Sequence, residues 1–412
     1  MQKKHIIIVG GGASGMMAAI TAARLGAEVT IIEQKERLGK KILSTGNGKC
    51  NLTNERMSVD CFRGDDISVV SSVLKQFDYK ETLKFFEDLG VLFKNRQGYI
   101  YPLTEQASTI LEILEIEIKH LNIQVLLEQV VKHISKSEKG FFVETNSSRM
   151  YCDALILATG GMAAPVLGSN GSGYTLAKSF GHTLSPVVPA LVQLKCKGRF
   201  YKQVAGVRCH ATVSIFVDGE KVSEDTGELQ LTNYGISGIP VFQVSRFVSK
   251  ALQLHKKVEA EIDFLPELSK ETLRNMIAMR MSTHEDHTAE EYFVGLFHKK
   301  LLPLFLRASR IELTDLMHTV TQEKIDKLIS VCKQFRIEVE DTNGFEQAQI
   351  CAGGIKTSEL NPQTLESNLV KDLYITGEVL DVDGICGGYN LQWAWSTGYI
   401  AGQSASKGLK ND

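Results

Sequence analysis

Three groups of residues in this chain have the types and spacing needed to hold a large anionic cofactor. The first is Gly10, Gly12 and Gly15, a G-x-G-x-x-G run that follows the apolar residues 6–9 and opens an alanine-rich stretch. Each glycine has a mechanical role. Gly10 permits a tight turn, Gly12 lets a pyrophosphate approach the backbone, and Gly15 lets the helix pack close to the strand. With Ala13 and Ser14 they form a helix N-terminus, whose unpaired N–H groups and partial positive charge suit phosphate. Glu33 closes a second strand at 28–32, followed by Gln34. An acid about 20 residues beyond the glycines is placed to accept hydrogen bonds from ribose hydroxyls.

The second group is residues 39–54, GKKILSTGNGKCNLTN. It is too polar and glycine-rich for a core element. Its reading is a loop that lies along an extended cofactor and donates backbone N–H groups to it. The third group is residues 384–398, GICGGYNLQWAWSTG. Gly387 and Gly388 give a helix start that a flat ring can approach, and Asn390 and Gln392 offer polar contacts. A helix N-terminus there would stabilise negative charge on a reduced cofactor ring.

Strands must place these groups. Residues 153–161, DALILATGG, read as a buried strand ending on small residues. Residues 123–127 lead into Gln129 and Val130, expected to meet adenine through the backbone. Residues 372–377, DLYITG, are a last strand before Glu378 and Asp381. The order of strand, fingerprint, helix, strand and acid predicts an α/β, Rossmann-like dinucleotide-binding domain, and the closing segment, read as the last wall of the same site, draws that domain from both chain ends. Its expected parts are residues 1–189 and 341–412. Between them, residues 190–265 alternate in polarity with turn signals, predicting a β-rich inserted substrate domain. Residues 266–340 become helical and rich in Leu, Met, Lys and Glu, predicting a small helical domain.

With 412 residues the chain exceeds one ordinary core. A formal net charge of -2 gives no reason to expect nucleic acid or an anionic membrane as partner. No apolar run is long enough for a signal peptide core or a membrane span, so a cytoplasmic location is expected. The 8 cysteines contain no C-x-x-C pair, which argues against a disulfide framework, a zinc ribbon or a flavin-disulfide reductase. His284 and His287 lack an evident third ligand, and no metal site is expected. Met276, Met279 and Met281 suit core or lid packing. The sequence sets no oligomeric state.

Taken together, the closing segment, ILSTGNGKCNLTN and ATGGMAAPVLGSNGSGYTLAKSFGHTL resemble the BaiN/YhiN-like flavoproteins over nearly the whole chain. The resemblance implies FAD contacts at residues 10–15, Glu33, Lys41, Ser44, Asn47, Gly48, Val130, Thr159, Gly160, Gly377, Glu378, Asp381, Gly388, Asn390 and Leu391. Relatives of that family include a reductase of conjugated 3-oxo bile-acid intermediates and an amine oxidase acting on aminoacetone. The expected activity is therefore FAD-dependent reduction of a C=C in an apolar 3-oxo steroid. NAD(P)H is the expected electron donor and visits transiently, since no second G-x-G-x-x-G is present. The alternatives are an amine oxidase using oxygen, or an RNA-binding flavoprotein. Where the family commonly reads F-T-H-x-G-x-S-G-P, this chain reads LTNYGISGIP, with Asn233 at the histidine position. Tyr234 and Tyr389 are the candidate catalytic residues, each a phenol able to hydrogen-bond a carbonyl or supply a proton.

The ribose assignment is tested by Glu33→Ala. It should weaken FAD binding about tenfold, the worth of a hydrogen bond to a charged group. Wild-type retention of FAD through gel filtration would remove Glu33 from the site.

Overall fold

The computed structural model describes residues 3–407. Within it, two compact units are distinguished: residues up to 188 together with 349 onward, and residues 189–348. The first unit is built on a five-stranded parallel sheet. Its strands are β1 (His5–Val9), β2 (Glu28–Ile32), β3 (Gln124–Leu126), β4 (Ala154–Leu157) and β5 (Leu373–Ile375), in the order β5-β4-β1-β2-β3. Neighbouring residues of these strands alternate between two cores. Ile6, Ile8, Ile31, Ala154, Ile156 and Tyr374 face one, while Ile7, Val9, Ile32, Leu155, Leu157 and Ile375 face the other. That is why the interiors of these strands are mostly apolar: parallel strands covered on both faces have no solvated side.

Two helices matter most. Helix α1 (Ala13–Arg24) follows β1, and helix α2 (Tyr389–Ser406) closes the described chain. They pack against each other at backbone distance. A methyl built on Gly398 would lie 2.3 Å from the Ser14 carbonyl oxygen, and one on Gly402 would lie 2.4 Å from that of Ala18. Glycines four apart stand on one helix face, so they form a groove that admits α1. The remaining surface of α2 is anchored by buried indoles whose N–H groups are both paired. Trp393 Nε1 donates to the Gly377 carbonyl at 3.2 Å and Trp395 Nε1 to that of Leu52 at 3.1 Å. Among the described residues, no helix is long and apolar enough to cross a membrane.

The second unit contains a closed six-stranded antiparallel barrel. Its longest hairpin joins Arg208–Val217 to Glu220–Leu231 through Asp218 and Gly219, both with positive φ, as a two-residue turn requires. Residues 266–340, read from sequence as a domain of their own, are corrected here. Leu273, Phe305 and Leu328 share one core with the barrel residues Ala211 and Val213. Moreover, Phe335–Thr342 is a strand that pairs with Val258–Asp263 and with Leu194–Cys196 and completes the barrel. The helical run is thus an excursion between two barrel strands, and a boundary at 340 cuts through the second.

The α1–α2 contact gives a direct test. Gly402→Leu must force the helices apart and should destabilise the protein by about 3 kcal/mol or more, as overpacking against backbone does. Thermal unfolding followed by circular dichroism reads the loss, and an unchanged midpoint would contradict the close approach.

Candidate cofactor site

The start of α1 is open where a ligand needs it and closed elsewhere. A Cβ on Gly10 would strike the Ala158 carbonyl oxygen at 2.4 Å, and one on Gly15 the Gly10 carbonyl oxygen at 1.9 Å. A Cβ on Gly12 would meet nothing within 4 Å. Gly10 and Gly15 are therefore fixed by the protein's own packing, whereas the space at Gly12 is left clear. Gly12 caps α1 without any side-chain hydrogen bond to the free N–H groups of the first turn. Glu33 is almost fully buried. Its Oε2 accepts from the Gly11 N–H and its Oε1 from the Lys35 N–H, both at 2.8 Å. Gln34 is held beside it, donating to the Gly168 carbonyl and accepting from Asn170.

The ends of β4 and β5 complete this wall. Thr159 follows β4, and Gly160 beyond it turns with φ 70°. Gly377 turns with φ 80° directly over Ser14, whose Oγ would lie 2.6 Å from a Cβ there. Its N–H donates to Thr397 Oγ1 at 3.0 Å, so β5 is tied to α2. Lys41, distant in sequence, donates to Glu378 Oε2 at 2.7 Å.

Residues 39–54 run from one helix start to the other. The Gly39 N–H donates to the Gly11 carbonyl at 2.9 Å, beside α1. At the far end, Asn54 Nδ2 donates to the Gly387 carbonyl at 3.0 Å, and a Cβ on Gly388 would lie 2.8 Å from the Thr53 carbonyl oxygen. Ser44, Asn47 and Gly48 lie exposed between these anchors, with Gly46, Asn47 and Gly48 all at positive φ. Gly388 caps α2, again without a side-chain hydrogen bond. Asp381 stands before it, 1% exposed, with Oδ2 accepting from the Asp65 N–H and Oδ1 without any partner.

Several expected contacts are already committed within the protein. Asn390 clasps its own loop, accepting from the Gly384 N–H and donating to the Gly384 carbonyl, so only its main chain faces the helix start. Gln392 is fully buried between Thr53 and Ser396. Leu391 is half-buried and packs on the core. Both main-chain groups of Val130 pair with Asn146, the N–H with its side chain and the carbonyl with its N–H. Tyr389 does not face a substrate: it is 5% exposed, its hydroxyl donates to the Arg56 carbonyl at 3.0 Å, and its ring stands edge-on to Phe62. Tyr234 lies in the other unit, half-buried, at the turn before Gly235–Gly238. Asn233 beside it is exposed.

Two residues near this wall carry no signal in the sequence. Cys351 donates its N–H to Glu378 Oε1 at 3.0 Å, and burial pushes its thiol up to about 12. Tyr174, on the short helix Ser172–Ser179, is buried, and burial pushes its hydroxyl far up as well. His284 and His287 stand edge-on with ring centroids 4.9 Å apart. Among the described residues, no group of three or more His, Cys, Asp or Glu could hold a metal ion.

The residues present fit an FAD. Clear space at Gly12, two uncapped helix starts, a spanning polar loop, an acid at the end of β2 and an orphaned buried carboxylate oxygen at Asp381 are what a long, diphosphate-bridged dinucleotide needs. Fold and site together define a Rossmann-like dinucleotide-binding protein whose cradle draws on both chain ends. The chain belongs to the HI0933-like family, matching the HI0933-like protein Rossmann domain over residues 4–404. It is similar to the 3-dehydro-bile acid delta(4,6)-reductase of Clostridium scindens, with 50% identity over 405 residues, covering 98% of this chain and 99% of that protein. It is 28% identical to the ribosomal RNA dihydrouridine synthase of Haemophilus influenzae, covering 98% of this chain and 99% of that protein. Among solved structures it resembles 3-ketosteroid-delta4-(5alpha)-dehydrogenase from Rhodococcus jostii RHA1, with TM-score 0.51 and 15% identity, covering 99% of this chain and 98% of the other. That last likeness is one of fold.

Gly12→Val separates folding from binding. The open space at Gly12 accommodates the side chain, so the unfolding midpoint of the FAD-free variant should stay within about 2 °C of FAD-free wild type, a change of about 1 kcal/mol or less. The bound FAD should be lost. A fully yellow Gly12→Val protein would contradict the assignment of the pyrophosphate to this turn.

Proposed function

We propose that the protein is an FAD-dependent oxidoreductase that saturates a C=C conjugated with a carbonyl, on an apolar 3-oxo steroid of the bile-acid type, with NAD(P)H as electron donor. The observation that carries this reading is the 50% identity, end to end, with a 3-dehydro-bile acid delta(4,6)-reductase. Bound FAD would supply the hydride for the alkene carbon remote from the carbonyl. The chain's residues bind and orient it. In this reading the α1 start and Gly12 take the pyrophosphate, Glu33 takes the ribose, Asp381 takes a hydroxyl of the linking chain, and the α2 start faces the ring.

Chemistry favours this over oxidation of an amine. Converting uridine to dihydrouridine also saturates a C=C conjugated with a carbonyl, so the reactions named for the 50% and the 28% relatives share one bond change. The 28% relatives, from Haemophilus influenzae and Escherichia coli, support a second reading, in which the alkene belongs to a uracil in RNA. The net charge of -2 supports the small apolar substrate instead, because phosphate contacts dominate binding of RNA.

Anaerobic bleaching of the flavin band tests the choice. NADH or NADPH should bleach it, and a conjugated 3-oxo steroid should restore it. Restoration by a uridine-containing RNA and not by the steroid would move the substrate to RNA. Bleaching by aminoacetone alone, with recovery in oxygen, would replace the reductase by an oxidase.

A further inference from the structure

Four side chains behind the cradle meet around Gly161. A Cβ built on Gly161 would lie 3.1 Å from each of Cys351 Sγ, Glu378 Oε1 and Tyr174 Oη. No two of these atoms are therefore farther apart than twice that distance. Lys41 joins them through Glu378 Oε2. The absence of a side chain at Gly161 is what lets these polar groups converge.

The hydrogen bonds in this cluster are unevenly shared. Glu378 uses both oxygens, one on Lys41 and one on the Cys351 N–H. The Cys351 sulfur accepts the Met162 N–H at 3.0 Å. Tyr174 is 5% exposed, and its hydroxyl has no nitrogen or oxygen partner, only the Cys351 thiol beside it. A buried hydroxyl with so weak a partner is costly and calls for an explanation. Tyr174 is otherwise firmly packed among core residues, including Leu176 and Ala177 on its own helix. Its phenol keeps its proton, so it can act only as a neutral donor or acceptor.

A role for that spare donor follows from charge. Lys41 and Glu378 neutralise each other, and both are half-buried. An anionic cofactor bound beside Lys41 would compete with Glu378 for its ammonium. A carboxylate in such a place that loses its cation needs another donor or it destabilises the site. Tyr174 is the adjacent hydroxyl with a strong hydrogen bond still to give, the Cys351 S–H being a weak donor. We propose that Tyr174 is a positioning residue for the Lys41–Glu378 pair, donating to the Glu378 carboxylate when the bound cofactor draws the Lys41 charge. This rests on the FAD reading above.

The test is FAD titration of apo-protein in four forms: wild type, Tyr174→Phe, Glu378→Gln and the double variant. Tyr174→Phe removes one oxygen and keeps the ring packing. It should raise the FAD dissociation constant about tenfold, the worth of one hydrogen bond to a charged group. In the Glu378→Gln background, where no charge needs compensation, the same change should alter it no more than about twofold. The reduction potential of the bound flavin should shift in the same background-dependent way. Equal losses in both backgrounds, or no loss in either, would overturn the proposal while leaving the FAD site intact. A wild-type protein that binds no FAD would instead overturn the cofactor reading, and this proposal with it.

Discussion

The structure of the first unit depends on two glycines of α2, Gly398 and Gly402, meeting the backbone of α1. The contact brings the last helix of the chain onto the helix that opens it. It also fixes β5, since Thr397, one residue before Gly398, receives the Gly377 N–H. One close approach therefore sets the relation between the fingerprint turn, the end of β5 and the start of α2. A cradle for an extended cofactor needs its walls held at a set separation, because the ligand is longer than any single loop. Here the backbone contact and the spanning loop of residues 39–54 do this together.

Around that frame, polar groups divide into those that hold the protein and those still available to a ligand. Asn390, Gln392, Thr397 and the buried indoles are fully occupied with internal hydrogen bonds. They make the α2 start rigid. What remains available is mostly main chain: the first turns of both helices, and the Oδ1 of Asp381. Fixed dipoles of this kind cost little to reorganise when charge arrives, which suits a cofactor whose charge changes with its redox state.

Much of this was legible in the sequence where the signal is local. The glycine spacing, the apolar strands and Glu33 lie within a few dozen residues, and each follows from steric or periodic rules. The family and the Rossmann-like fold read from those motifs agree with the structure and with the match over residues 4–404. What failed depended on distant partners. Tyr389 looked outward until Phe62 and the Arg56 carbonyl enclosed it. The helical run looked independent because nothing local shows that Phe335–Thr342 returns to close a barrel. The Lys41–Glu378 pair spans 337 positions, and Tyr174 and Cys351 join it only in three dimensions.

The central claim is that both chain ends grip opposite halves of one dinucleotide. The most direct measurement is titration of the apo-protein with FAD and, separately, with FMN, following quenching of flavin fluorescence. If the α1 turn and Glu33 hold the adenylate half, FAD should bind one per chain and about a hundredfold or more tighter than FMN, which keeps one phosphate but lacks the AMP that would reach them. Equal affinity for FMN and FAD, or no binding of either, would contradict the account.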